Sequence, residues 1–250
     1  MTHLTRLIAG NTPDKDPMKS LIETLSVNMA ELEETLVESI RSTQMTPQMI
    51  LYGAYACRTF LESAMTSLLA RIDPLRILFL QAHQNSTEYD KSQRNKSAVQ
   101  WKGDIFSKEK AGENLWSIDL EKNTAWRALL GNWQQKMILE PSFQQLNDTN
   151  TTISSDWLAN LKRISLDGIG NHFRGSADSL YSELSKAVHA EYVIPRRTVV
   201  DEMTIRDYIS RTFQITAQIS LISHFSPVFH CCLPHEEAFL LFKQTEEYIN

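Results

Sequence analysis

The stretch Thr46 to Pro74, TPQMILYGAYACRTFLESAMTSLLARIDP, decides the fold class. Thr46 before Pro47 is a cap residue followed by proline at the first helical position, where the missing N–H would have had no partner. Ile50, Ala54, Cys57, Leu61, Ala64, Leu68 and Ile72 then recur three and four residues apart, which is one stripe of a long helix. Gly53, Ala54 and Ala56 lie among them, so a neighbouring helix can approach closely. Asp73-Pro74 repeats the cap-and-proline signal: it closes this helix and opens another from Leu75 to about Gln84.

Working towards the N-terminus, Met18 to Ser42 reads as helix, with Leu21, Leu25, Met29, Leu32, Leu36 and Ile40 on one stripe. Its acidic residues, Glu23, Glu31, Glu33, Glu34 and Glu38, read as a solvated face. Residues 1–17 read as loop, because Asn11, Thr12, Pro13, Asp14, Asp16 and Pro17 form a turn cluster. Towards the C-terminus, residues 85–112 turn polar and rich in Lys and Arg, with Trp101, Ile105 and Phe106 as apolar anchors. Thr124 to Leu139 looks helical, and residues 141–155 read as a polar linker carrying the turn formers Asn147 to Thr152. Ser155-Asp156 caps a helix from Trp157 to about Leu166, and Gly168 and Gly170 break the chain. Three further helices are expected over Ser176 to Glu191, Asp201 to Ser223 and His235 to Ile249. No period-2 strand is evident, although Val193-Ile194 and Thr198 to Val200 suit a few extended residues. The expectation is an all-α bundle of about seven or eight helices. Residues 1–250 form a single domain in this reading, with a long polar insertion at about 85–112 and a linker at about 141–155. The helices over 47–72 and 176–192 should be neighbours at its centre.

Composition agrees. Over 250 residues, 42% are apolar and 22% charged, ordinary globular values that exclude a disordered chain or a collagen-like repeat. Only 8 Gly and 8 Pro occur, too few turns for an all-β sandwich. A net charge of -5 argues against a chain coated in basic charge to hold nucleic acid. Three cysteines, two of them adjacent, make no disulfide framework and read as reduced thiols. No secretory signal and no membrane-length apolar run is found, so a soluble cytoplasmic protein is expected.

The stretch richest in chemistry is Tyr181-Ser182-Glu183-Leu184-Ser185-Lys186-Ala187-Val188-His189. Tyr181, Ser185 and His189 are four apart, one stripe beside an apolar face. Histidine near neutrality can carry a proton or hold a phosphate, and it can equally be a hydrogen-bonded residue of a helix seam. Arg58 and Glu62 form a second i,i+4 set. They read as a half-buried ion pair joining two helices, or, if Glu62 faced His189, as the carboxylate that orients an imidazole.

These words together resemble the HEPN superfamily, on Arg58, Leu61 and Glu62 in the first helix and Tyr181, Leu184, Ser185, Val188 and His189 in the later one. The resemblance covers about a fifth of the chain. It implies an all-α protein of bacterial anti-phage defence or toxin–antitoxin systems, many members being metal-independent RNases, often symmetric homodimers with the site at the interface. Catalytic members carry Arg, four to six residues, then His. The corresponding positions here are Leu184, Glu183 and Ser182, and none is Arg. The cation that stabilises charge on the scissile phosphate is therefore lost or borrowed, with Arg58, Arg196 and Arg197 as lenders. The expectation is a component that binds RNA, a nucleotide or a partner protein of its operon without cutting. The alternatives are an endoribonuclease using His189 with a borrowed cation, and a helical structural or interaction protein. Tyr181, Ser185, Arg196, Arg197 and Lys102 are the expected ligand contacts.

His224, His230, Cys231, Cys232 and His235 are nitrogen and sulfur groups of a kind that suits zinc, but no Cys-x-x-Cys is present and adjacent cysteines seldom reach one ion, so no metal is expected. Neither a Gly-rich phosphate loop nor a nucleophile elbow is present, so no cofactor is expected. The basic residues near Trp101 and Phe106 and after Pro195 are diluted by Asp104, Glu109, Asp201 and Glu202, and read as mixed surface.

Overall fold

The computed structural model describes residues 1–87, 89–90, 129, 134–189, 193, 195 and 199–249. All regular structure among them is helical. Among the described residues there are nine α-helices: α1 (His3–Ala9), α2 (Met18–Arg41), α3 (Pro47–Ile72), α4 (Pro74–Gln84), α5 (Glu140–Asp148), α6 (Asp156–Lys162), α7 (Ile169–Val188), α8 (Glu202–Ser223) and α9 (His235–Ile249). A π turn at Gln135–Leu139 leads into α5, and a 3₁₀ turn at Leu166–Gly168 into α7. No described helix is long and apolar enough to cross a membrane.

Helix α3 is the central element. It packs against α2, α8 and α7, and also against α4 and α1. Its start is set as its first residues imply: Thr46 Oγ1 accepts from the Met49 amide at 3.1 Å, with Pro47 behind it. At Asp73, Oδ1 accepts from the Arg76 amide at 3.3 Å and caps α4. The small residues of α3 do admit a neighbour. A Cβ on Gly53 would lie 2.6 Å from the Ile205 side chain of α8, so only glycine allows this approach. The remaining core is aliphatic and aromatic, with Phe60 of α3 and Phe213 of α8 in ring contact at 5.4 Å. Arg206 ties α8 to the end of α2, donating at 2.6 Å to the carbonyls of Ile40 and Ser42.

Three expectations are corrected. Residues 3–9 are a buried helix, not loop: Leu4, Leu7, Ile8 and Ala9 are fully enclosed. Of the expected linker 141–155, the first half is α5, which buries Phe143 and Leu146; only Thr149 to Ser155 is irregular. Finally, Gly170 does not break the chain. Helix α7 begins at Ile169 and runs through it, because a Cβ there would fall 2.1 Å from the Gln135 side chain that packs against the bare backbone. The same helix ends at Val188, short of Glu191. Most of the polar insertion, and the helix read over 124–139 up to residue 133 apart from Leu129, lie outside the described residues.

Candidate functional site

The α3–α7 seam brings together four of the residues named from the sequence. One helical turn along α3, Arg58 Nε donates to Glu62 Oε1 at 3.3 Å. Across the seam, the Arg58 guanidinium lies 4.5 Å from the centroid of the Tyr181 ring and donates to the Tyr181 hydroxyl. The Glu62 carboxylate and the Ser185 side chain lie beside that hydroxyl. Burial first, and then the Glu62 charge, hold the Tyr181 hydroxyl above the ordinary tyrosine range, with Arg58 opposing. The phenol is therefore a neutral donor and acceptor, and the cluster is a polar knot between two helices with its Glu62 side half exposed.

His189 stands apart from it. Its backbone N–H donates to the Ser185 carbonyl at 3.0 Å and ends α7, but its own backbone is extended (φ -81, ψ 148). The imidazole is exposed and makes no hydrogen bond to a described residue, Glu62 included. Tyr181, Ser185 and His189 thus run from buried to exposed along one stripe, and the carboxylate that was to orient the imidazole holds a guanidinium instead. Arg196, Arg197 and Lys102 lie outside the described residues.

The C-terminal cysteine and histidine cluster does assemble, but around an arginine. Arg71 is wholly buried at the end of α3. Its Nε donates to the His230 carbonyl at 2.9 Å; its Nη1 donates to the Ile8 carbonyl at 2.9 Å and to Ser223 Oγ at 2.8 Å. Its Nη2 faces His224 Nδ1 at 3.2 Å and the Cys232 sulfur at 3.7 Å. The tautomer of His224 follows from its partners: Nδ1 accepts from the Leu233 amide at 3.1 Å, so Nε2 carries the proton and donates to the Leu7 carbonyl at 2.7 Å. Burial, with Arg71 adding to it, pushes this imidazole well below the usual histidine value and keeps it neutral. The Cys232 thiol donates to the Phe229 carbonyl at 3.2 Å, and the His235 ring stacks 4.0 Å from that of Phe225. Among the described residues no group of three or more His, Cys, Asp or Glu is placed to hold a metal. The third cysteine, Cys57, is enclosed in the core, and burial pushes its thiol up to about 12, which makes it inert.

Three buried charged residues, Arg71, Glu33 and Glu246, escaped the sequence reading. Arg71 falls three residues after Leu68, on the apolar stripe itself; an ionisable residue on a core stripe was the available signal. Glu33, read as part of a solvated acidic face, is fully buried, four residues after Met29 and three before Leu36. Comparison of the chain with family models, with curated proteins and with solved structures returns no match.

Proposed function

We propose that this protein is a HEPN-like component of a bacterial anti-phage defence or toxin–antitoxin system that binds RNA or a nucleotide without cutting it. The observation that carries the reading is the engagement of Arg58. Its guanidinium is spent on Glu62 and Tyr181, so the arginine of the motif is not available to neutralise a phosphate beside His189. A lone exposed imidazole can donate to a phosphate oxygen, yet without a paired cation it stabilises little developing charge. His189, with Lys186 one turn earlier on α7, then serves as a ligand contact at the rim of the α3–α7 seam.

The test uses the purified chain with total cellular RNA and tRNA, without added metal, beside His189→Ala. The expected result is no cleavage by either protein, with retarded RNA in a gel shift that weakens in the variant. Cleavage that vanishes in His189→Ala would replace this reading with a metal-independent RNase. Neither cleavage nor retardation would leave a partner protein as the ligand of the system.

A further inference from the structure

A groove of about 470 Å³ lies between α6, α7 and α8, within the size range of small-molecule sites. It belongs to a different face of α7 from the seam above: Ser179 lines it, whereas Tyr181, two residues on and about 200° around the helix, faces α3. Its width has a cause in the sequence. Helix α7 presents Gly175, Ser176 and Ser179 there, and a Cβ added to Gly175 would meet nothing within 4 Å. Opposite, α8 presents the long side chains of Arg211, Gln214 and Gln218.

The charges at the groove are already matched. Arg211 donates to both Glu183 oxygens, at 2.6 and 2.9 Å, and to Asp207 at 3.2 Å. Burial holds His172 below the usual histidine value, so its ring is neutral near pH 7. No uncommitted cation among the described lining residues is left for a phosphate. What remains is carboxamide chemistry from Gln214 and Gln218, and from the Asn160 NH₂, whose oxygen accepts from Arg163 at 3.3 Å, with Ile164 and Ile215 as aliphatic cover. Gln218 is only 5% exposed, and its single hydrogen bond is a long one, from Nε2 to the Trp157 carbonyl at 3.5 Å. Its carboxamide oxygen accepts no hydrogen bond from a described residue, in a side chain that lines the groove.

We propose that this groove binds the adenine ring of an uncharged nucleoside. A carboxamide offers one donor beside one acceptor, which matches the amino group and adjacent ring nitrogen of adenine. The paired donors of guanine call for a carboxylate, and Glu183 is occupied by Arg211 and by Ser179, which donates to it at 3.0 Å. The isoleucines cover the flat faces of the base, and the Ser176 hydroxyl is free for a ribose. The site does not depend on the reading of the α3–α7 seam.

The experiment is calorimetric titration of the full chain with adenosine, guanosine and adenosine monophosphate, repeated on Gly175→Leu and Gln218→Leu. Gly175→Leu fills the groove at a helical position with room for a side chain, so it keeps the fold and raises Tm. Saturable adenosine binding is expected, with guanosine weaker by about tenfold and the monophosphate no tighter than adenosine. Binding should be abolished in Gly175→Leu and reduced about tenfold in Gln218→Leu. His189→Ala should bind adenosine unchanged, which separates this site from the proposed RNA contact. No saturable binding of adenosine at millimolar concentration overturns the proposal, as does equal binding of guanosine, tighter binding of the monophosphate, or binding that persists in a folded Gly175→Leu.

Discussion

Glu33, in the middle of α2, caps the first turn of α1 through Thr5: its Oε2 accepts from the Thr5 amide and from Thr5 Oγ1, both at 2.7 Å. Oε1 accepts from the Leu4 amide at 3.0 Å, and the Thr2 hydroxyl adds a further donor. The residue preceding α1, Thr2, makes no cap bond to its own helix, so the cap comes from a helix 28 residues away. Burial raises the proton affinity of Glu33, and these four donors oppose it. A seven-residue helix is too short to stand alone in water, so its formation and its docking are one event.

Glu33→Gln should therefore cost more than a surface change. Whichever way the carboxamide is turned, its NH₂ meets a backbone or hydroxyl donor, which leaves at least one donor pair unsatisfied. The expected loss is about 1–3 kcal/mol in urea denaturation, with amide exchange accelerated first over residues 3–9. Unchanged protection of α1 would show that the apolar contacts of Leu4, Leu7 and Ile8 hold it alone.

Arg71 closes the other end of α1. It joins the Ile8 carbonyl to the His230 carbonyl and to Ser223, and so ties α1, α3, α8 and the turn before α9 into one joint. Next to it, Gly10 sits at φ +72, with the Cys231 carbonyl where a Cβ would stand, so α1 leaves the joint by a path only glycine allows. Arg71→Met keeps the volume and removes every donor. A loss of roughly 3 kcal/mol or more is expected, from buried acceptors left unpaired. Arg71→Lys keeps the charge but not the planar fork, and should fall between. A Met variant as stable as the parent in chemical denaturation would mean that the joint is held by packing.

How far these features were legible follows from where their causes lie. Stripes and caps are local, and α2, α3, α4, α8 and α9 stand within a few residues of where periodicity puts them. The α3–α7 pairing was also readable, since Arg58 and Tyr181 flank apolar stripes that must face something. The misses share a tertiary cause. Helix α1 is capped by Glu33 from another helix, and the run through Gly170 depends on Gln135, so neither is visible in its own window. Helix α5 was hidden by the polar run from Asn147, which governs its end but not its beginning. The position of His189 relative to Glu62 depends on how α7 ends, and no spacing rule carries that.

Acid sensitivity should trace in part to His224. Its folded-state proton affinity is depressed, so between its unfolded pKa and its lower folded value the unfolded chain binds more protons. Stability is then full above the unfolded value of about 6.5 and falls as pH drops below it, by at most ~1.4 kcal/mol per pH unit for this one group. His224→Gln keeps one donor and one acceptor without titrating. It should flatten the slope of unfolding free energy between about pH 6.5 and 5, where the carboxylates contribute less. An equal slope in both proteins would place the acid sensitivity elsewhere.

Tyr181→Phe separates the ring from the hydroxyl in the Arg58 knot. The guanidinium keeps its aromatic face and its bond to Glu62, and loses only the phenolic acceptor, so about 1 kcal/mol of stability should go. The alkaline limb gives a second readout. Because the Tyr181 hydroxyl is held above the ordinary range, its protonated form stabilises the fold below the unfolded value of about 10, and that contribution is lost as pH rises through the folded value. Ultraviolet titration of the native protein should show late-ionising phenol from Tyr181 and from Tyr248, which burial also raises. In Tyr181→Phe one of those late phenols should disappear. If instead the late population is unchanged, the Tyr181 hydroxyl is open to water and Arg58 is free to turn towards a ligand, which would return it to the list of cations within reach of His189.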